Sequence, residues 1–229
     1  MRFLVPVCFL FYSILLHAQQ EKAPIVKEQP DVDFIEAKVD ILVTPKTKSV
    51  AGEVIYTFNI LKPMDTVFVD AQKMNINKVV LDEKKIDFIY DSKKIGIIGN
   101  FKANTSHAVT ITYEATPKKA LYFVKDTEGN DQVWTQGQGK YTSNWLPSFD
   151  DMNEKVTFDL SISYLKNSEV IANGKLEKVI PVNDSIQKWQ YDMQQPMSSY
   201  LVAFAAGKYD KMVEVSSNGT SLEMYYYPK

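Results

Sequence analysis

From residue 33 onward, apolar and polar residues alternate with a period of two. Ile35, Ala37, Val39, Ile41 and Val43 fall on one side, and Glu36, Lys38 and Asp40 on the other. Val54, Tyr56, Phe58 and Ile60 repeat the pattern, as do Ile86, Phe88 and Tyr90. Val109, Ile111, Tyr113 and Ala115 follow, and Val156, Phe158, Leu160, Ile162 and Tyr164 form the longest run. Alternation of this kind places apolar side chains on one face of a pleated strand. The runs are filled by Val, Ile, Thr, Tyr and Phe, which suit a half-buried strand. Turn signals separate them: Thr44-Pro45-Lys46-Thr47, Leu61-Lys62-Pro63-Met64-Asp65, Asn173-Gly174 and Asn218-Gly219. Glu128-Gly129-Asn130-Asp131 predicts a hairpin between residues 121–125 and 132–135. The last strand is expected at residues 221–227. No stretch of a dozen residues carries a helical apolar stripe. The pattern predicts an all-β fold, a sandwich of two antiparallel sheets.

The N-terminus reads differently. Arg2, an apolar run over residues 3–16 and Leu16-His17-Ala18 have the form of a signal peptide, residues 1–18, cleaved before Gln19. Fourteen apolar-rich residues are too few to span a bilayer, which argues against a membrane anchor. The expected location is therefore outside the cytoplasm, periplasmic or extracellular, with no membrane span after signal removal. Residues 19–31, QQEKAPIVKEQPD, are polar and aperiodic and predict a disordered leader, so the β domain is expected over residues 32–229. Cys8 leaves with the signal peptide, and a domain this large builds a core without disulfides. Loss of Arg2 from 26 basic residues leaves 25 against 28 acidic, a net charge of −3. That balance gives no reason to expect nucleic acid or an anionic membrane as partner.

The reactive residues are few. His17 is lost with the signal, which leaves His107 as the one histidine of the mature chain. Catalytic zinc sites mostly draw two or more ligands from His and Cys, so the inventory argues against zinc bound by this chain. His107, in Asn104-Thr105-Ser106-His107, reads as a solvent-facing loop residue. No G-x-S-x-G turn accompanies it to suggest a nucleophilic triad. Asp150, Asp151 and Glu154 raise the alternative of a glycosidase, which needs two carboxyl groups across a sugar. Neighbours on a strand diverge, so a polar turn leading into the 156–164 strand is the preferred reading. Trp134, Trp145, Trp189 and Tyr225-Tyr226-Tyr227 fit a core or an interface better than a sugar platform. Trp134 and Trp145 are expected to support the strand between them. Gln136 and Gln138 are two apart, so on a strand they share a face. Gly137 and Gly139 leave room for another backbone. Two readings stay open for this pair: a glycine-bulged edge with exposed amides, or a binding site.

Several motifs fall in one order: Thr135-Gln136-Gly137-Gln138, Trp145-Leu146-Pro147, Asp150, and Lys155-Val156-Thr157-Phe158. Val170-Ile-Ala-Asn173-Gly174-Lys-Leu176 and Pro196-Met-Ser-Ser-Tyr200-Leu-Val-Ala-Phe204-Ala-Ala-Gly207-Lys-Tyr209 follow. Together they resemble the non-catalytic N-terminal domain of the aminopeptidase N / leukotriene A4 hydrolase family of zinc metallopeptidases. The resemblance implies a saddle-shaped antiparallel β-sandwich whose larger sheet carries the Thr-Gln-x-Gln strand. It implies peptide as substrate of the intact enzyme, with zinc held by a separate C-terminal catalytic domain absent from this chain. The H-E-x-x-H helix and the G-x-M-E-N strand of that domain do not occur in the 229 residues. The chain alone would then be inactive. In the family, the position of Gln138 reaches into the cleft and helps bind the substrate's free amine, so Gln136 and Gln138 become the candidate substrate-binding residues. An ammonium with three donors needs oxygen acceptors. Gln at 138, where aminopeptidases carry Glu, supplies the acceptor without the charge. Met152-Asn153 and Ser143-Asn144 also depart from the family pattern. The 136–138 edge and the 225–227 strand are expected near one domain-docking patch. The alternative is a free-standing exported β-sandwich that binds peptide, glycan or protein without catalysis.

Overall fold

A computed structural model describes residues 27–228. The expected signal peptide, and the leader up to residue 26, lie outside the described residues. Those described form seventeen strands in four sheets. The largest sheet runs β13 (Lys175–Pro181), β14 (Ile186–Ser198), β11 (Lys155–Leu165), β1 (Val32–Thr44), β2 (Ser49–Ile60), β8 (Thr105–Ala115), β4 (Asn75–Leu81) and β5 (Lys84–Lys85). A second runs β12 (Glu169–Ala172), β15 (Phe204–Gly207), β10 (Asp131–Thr135) and β9 (Leu121–Lys125). A third comprises β3 (Met64–Asp70), β7 (Lys94–Phe101) and β6 (Phe88–Tyr90). β16 (Asp210–Val215) and β17 (Ser221–Tyr226) pair as a hairpin. The apolar face of the large sheet packs on the two middle-sized sheets, which makes an all-β sandwich. No helix of the described residues is long and apolar enough to cross a membrane.

The period-two runs become the core. Tyr56, Phe58, Val109, Ile111, Tyr113, Val156, Phe158 and Tyr164 are all fully buried on one face of the large sheet. Val67 and Val69 of β3, Ile95 and Ile97 of β7, and Val133 of β10 meet them in one cluster.

Two details differ from the pattern reading, and one from what the resemblance implied. Ile35 is exposed and Phe34 is buried, because a β-bulge between Phe34 and Glu36 shifts the phase of β1 by one residue. β1 and β11 run parallel, with Glu36 beside Thr157 and Leu42 beside Ser163, while the other pairs are antiparallel. More than a hundred residues separate the two strands, so no tight turn dictates their direction. The Thr-Gln strand, β10, belongs to the four-stranded sheet and not to the larger one.

The segment expected as a disordered leader is docked where it is described. Gln29 donates from Nε2 to the Phe68 carbonyl and accepts from the Phe68 N–H, both at 2.8 Å, which covers the β3 edge. Lys27 reaches Asp33 at 3.0 Å and Glu154 at 3.2 Å.

Candidate functional site

The hairpin of β9 and β10 aligns as its turn signals require, with Asp131 opposite Lys125 and Thr135 opposite Leu121. Past Thr135 the chain leaves the sheet. The Thr135 hydroxyl takes over the edge there, accepting from the Phe204 N–H at 2.9 Å. Gln136 and Gln138 therefore sit in the turn after β10, and the same-face argument from strand geometry does not apply to them. Both are exposed, and neither side-chain amide has a hydrogen-bond partner among the described residues.

Gly137 between them is buried and cannot be replaced without strain. A Cβ there would lie 2.2 Å from Thr142 Oγ1 and 2.7 Å from the Tyr200 carbonyl oxygen. The backbone approach anticipated for this glycine is made by Tyr200. Gly139 and Lys140 both take left-handed conformations, with φ of 85° and 75°. They reverse the chain so that the Tyr141 N–H returns to the Gly137 carbonyl at 3.1 Å. Gly139 meets the usual preference for such a turn, whereas Lys140 is strained.

The turn rests on a buried platform. Thr142 Oγ1 donates to the Ser199 carbonyl at 3.0 Å. Residues 145–149 run through the interior, where the fully buried Tyr56 hydroxyl donates to the Pro147 carbonyl at 2.6 Å. Phe149 packs on Phe34 with ring centroids 4.0 Å apart. Ser148 and Asp70 exchange both backbone hydrogen bonds at 2.8 Å. Asp70 Oδ2 then accepts from the Asp150 N–H at 2.8 Å. Ser143 Oγ donates to Asp150 Oδ2 at 2.8 Å, while Asp150 Oδ1 is shut off from solvent without a partner. Burial, reinforced by the Asp70 charge, pushes the Asp150 carboxyl up to about 6, against the pull of Ser143 and Lys140. Asp151 accepts the N–H groups of Glu28 at 2.6 Å and Asn153 at 2.8 Å. This is the polar turn before β11. The carboxyl groups of 150 and 151 hold structure together rather than facing an open cleft.

Trp145 is buried edge-on against Phe204, 5.5 Å between centroids, and so supports this platform from within. Trp134 is part exposed and stacks on Tyr122, its cross-strand neighbour, at 4.5 Å. The Tyr227 hydroxyl bonds to Gln132, at the opposite end of β10 from the glutamine turn. Four strand residues separate those ends by about 13 Å. The terminal tyrosines and the glutamine turn thus do not meet directly.

His107 is not a loop residue. It lies on β8, half-buried, with Nδ1 2.7 Å from Asp82 Oδ2 and Nε2 2.9 Å from Thr105 Oγ1. Phe101 meets its ring edge-on at 5.1 Å. Carboxylate, imidazole and hydroxyl stand in line, yet the Thr105 hydroxyl also donates to the Lys102 carbonyl at 2.6 Å. Its proton is taken up locally, so the trio braces two turns and presents no free nucleophile. Among the described residues no three His, Cys, Asp or Glu side chains are placed to hold a metal ion. The residues present here do not fit a zinc site.

Sequence comparisons point to one family, and the structural comparison shows a shared fold. The profile of the peptidase M1 N-terminal domain matches residues 31–201. Glutamyl aminopeptidase of Bos taurus is 34% identical over 84 residues, covering 37% of this chain and 9% of the relative. Leucine aminopeptidase 2-2 of Meyerozyma guilliermondii is 24% identical over 202 residues, covering 83% and 31%. An M1 zinc metallopeptidase mutant from Deinococcus radiodurans superimposes with a TM-score of 0.75 at 12% identity, over 89% of this chain and 49% of that one. The chain thus spans under a third of these two curated relatives and about half of that structure.

Proposed function

Because the chain belongs to the peptidase M1 N-terminal domain family, with residues 31–201 matched, we propose that it forms the substrate-cleft wall of a zinc aminopeptidase. In this reading the intact enzyme removes N-terminal residues from peptides, and the zinc is held by residues beyond those described here. The observation that carries the reading is the glutamine turn. Gly137 locks the backbone on Tyr200, and the flanking Gln136 and Gln138 are left exposed with unpaired amides. An amide oxygen held this way accepts from a substrate ammonium, and the rigid platform beneath limits the ordering cost.

The test is steady-state kinetics of the intact enzyme. Hydrogen bonds with one charged partner contribute about 1.5–3 kcal/mol. Gln138→Ala should lower kcat/KM for unblocked peptides by about 10- to 100-fold, with thermal unfolding unchanged. Wild-type kinetics in this variant would remove Gln138 from the site. Reading the gene past codon 229 separates this from a free-standing binding module. An open frame encoding G-x-M-E-N and H-E-x-x-H supports the peptidase; a stop codon without a neighbouring catalytic gene supports the module.

Export is part of the proposal. Residues 1–18 have the composition of a cleaved signal, so N-terminal sequencing of the mature protein should begin at Gln19. Retention of Met1 on protein outside the cytoplasm would count against it.

A further inference from the structure

The far end of the glutamine turn, Lys140 and Tyr141 but neither glutamine, lines one wall of a cleft of about 560 Å³. Lys73, Lys118, Lys119, Lys140 and Tyr141 line it, and no carboxylate does. The cleft gathers four lysines on a chain whose net charge is −2, and three of them have no counter-charge among the described residues. Lys140 is balanced by Glu28 at 3.4 Å. Lys73, Lys118 and Lys119 are exposed and have no ion pair among the described residues. Lys119 instead lies over the Tyr141 ring, 5.1 Å from its centroid.

Positive φ marks the turns around the cleft, as it does Lys48, Asp82, Glu83, Ser92 and Asn104 elsewhere in the chain. Lys73, Ala120 and Lys140 all take positive φ, at 53°, 66° and 75°. Non-glycine residues seldom do so, and such strain persists only where surrounding contacts enforce it. Those contacts are present. The Lys73 N–H donates to the Ser92 carbonyl at 2.8 Å, and the Gln72 N–H to the Ser143 carbonyl at 2.7 Å. The Ala120 carbonyl accepts from the Gln136 N–H at 2.8 Å. The cleft is therefore built from three separate chain segments, all tied to the platform that carries Gln138.

We propose that this lysine cleft binds the acidic side chains of a peptide substrate, next to the turn that receives its free amine. The inference rests on the peptidase reading above and adds a substrate class to it. The three ammonium groups without counter-charges, Lys73, Lys118 and Lys119, attract carboxylates and disfavour basic peptides. Lys140 is two residues from Gln138, so acidic residues close to the substrate's N-terminus come within reach of the cleft.

The test is a titration of the 229-residue chain at low salt, followed by backbone amide NMR. The probes are Ala-Glu-Glu-Ala, Ala-Gln-Gln-Ala and N-acetylated Ala-Glu-Glu-Ala. The Glu peptide should saturate with shifts at Lys73, Lys118, Lys119 and Tyr141, and bind about tenfold more tightly than its Gln counterpart. The triple variant Lys73→Gln, Lys118→Gln, Lys119→Gln should erase that preference. The exposed pair Lys166→Gln, Lys178→Gln, on the β11–β13 side, should leave it intact. Equal binding of Glu and Gln peptides would overturn the proposal, as would an equal loss in the two variants. Inorganic phosphate displacing the Glu peptide at comparable concentration would reduce the cleft to a general anion site and also overturn it. Acetylation reads the other hypothesis: if it leaves affinity unchanged while the Glu preference survives, the amine assignment to Gln138 fails and the lysine cleft stands.

Discussion

Asp150 carries a charge that the fold resists, and Asp150→Asn should relieve it. Burial and the neighbouring Asp70 carboxylate raise its pKa from the ordinary 3.8 to about 6. A raised value means the folded state keeps its proton to higher pH than the unfolded chain. The associated stability is fully present below about pH 3.8 and is lost as pH rises through about 6. At about 1.36 kcal/mol per pH unit, the full displacement amounts to about 3 kcal/mol. The carboxyl is only half-buried, so solvent screening reduces this to about 1–2 kcal/mol. Asparagine has nearly the same shape, retains an oxygen for the Ser143 hydroxyl and carries no charge. Urea unfolding of wild type and variant between about pH 4 and about pH 8 isolates the effect, because other titrating groups cancel in the difference. The two proteins should be of similar stability at the acid end. The variant should be more stable by about 1–2 kcal/mol at the alkaline end. A variant that is less stable near pH 8, or a difference that ignores pH, would refute the account. In that case Asp150 serves as an obligatory anion for the platform.

Two further changes test the surroundings of the site. Gly137→Ala places a methyl group against Thr142 and the Tyr200 carbonyl, so it should destabilise by about 1–3 kcal/mol and perturb the amides of residues 136–141 in NMR spectra. Unchanged stability and spectra would mean that the turn is loose. Burial opposes ionisation at Asp82, but the Ala108 N–H, His107 and Lys84 outweigh it and hold its carboxyl below the usual range. Asp82→Asn should therefore cost about 0.5 kcal/mol near neutral pH, and the difference should vanish as acid protonates the wild-type carboxylate. A cost that persists in acid would locate the effect in packing and not in charge.

The sequence by itself determined the strands whose two faces meet different solvents. β2, β8 and β11 were legible because one side is core and the other is water, and that contrast is written at alternate positions. The β9–β10 hairpin was legible from its turn residues. The ordered motifs were sufficient to indicate the family. The remainder depended on contacts between distant segments. The bulge in β1 exchanges Phe34 for Ile35 only because its partner strand sets the register. The parallel pairing of β1 with β11 joins strands too far apart in the chain for any local signal. Most of β13 and β16 is exposed, so hydrophobic contrast marks them weakly. At the site, Gln136 and Gln138 were named from the sequence, but their setting in a turn was decided by Thr135 closing the sheet edge and by Tyr200 pressing on Gly137. His107 read as a loop residue because its alanine and serine neighbours hide its strand. Asp82, which holds it, is 25 residues away. The four lysines of the cleft come from three loops, and charges scattered through loops read as ordinary surface until the fold gathers them. Local pattern records which side of an element meets water; only the tertiary structure decides which elements stand side by side, because that depends on packing between segments that carry no mark of one another.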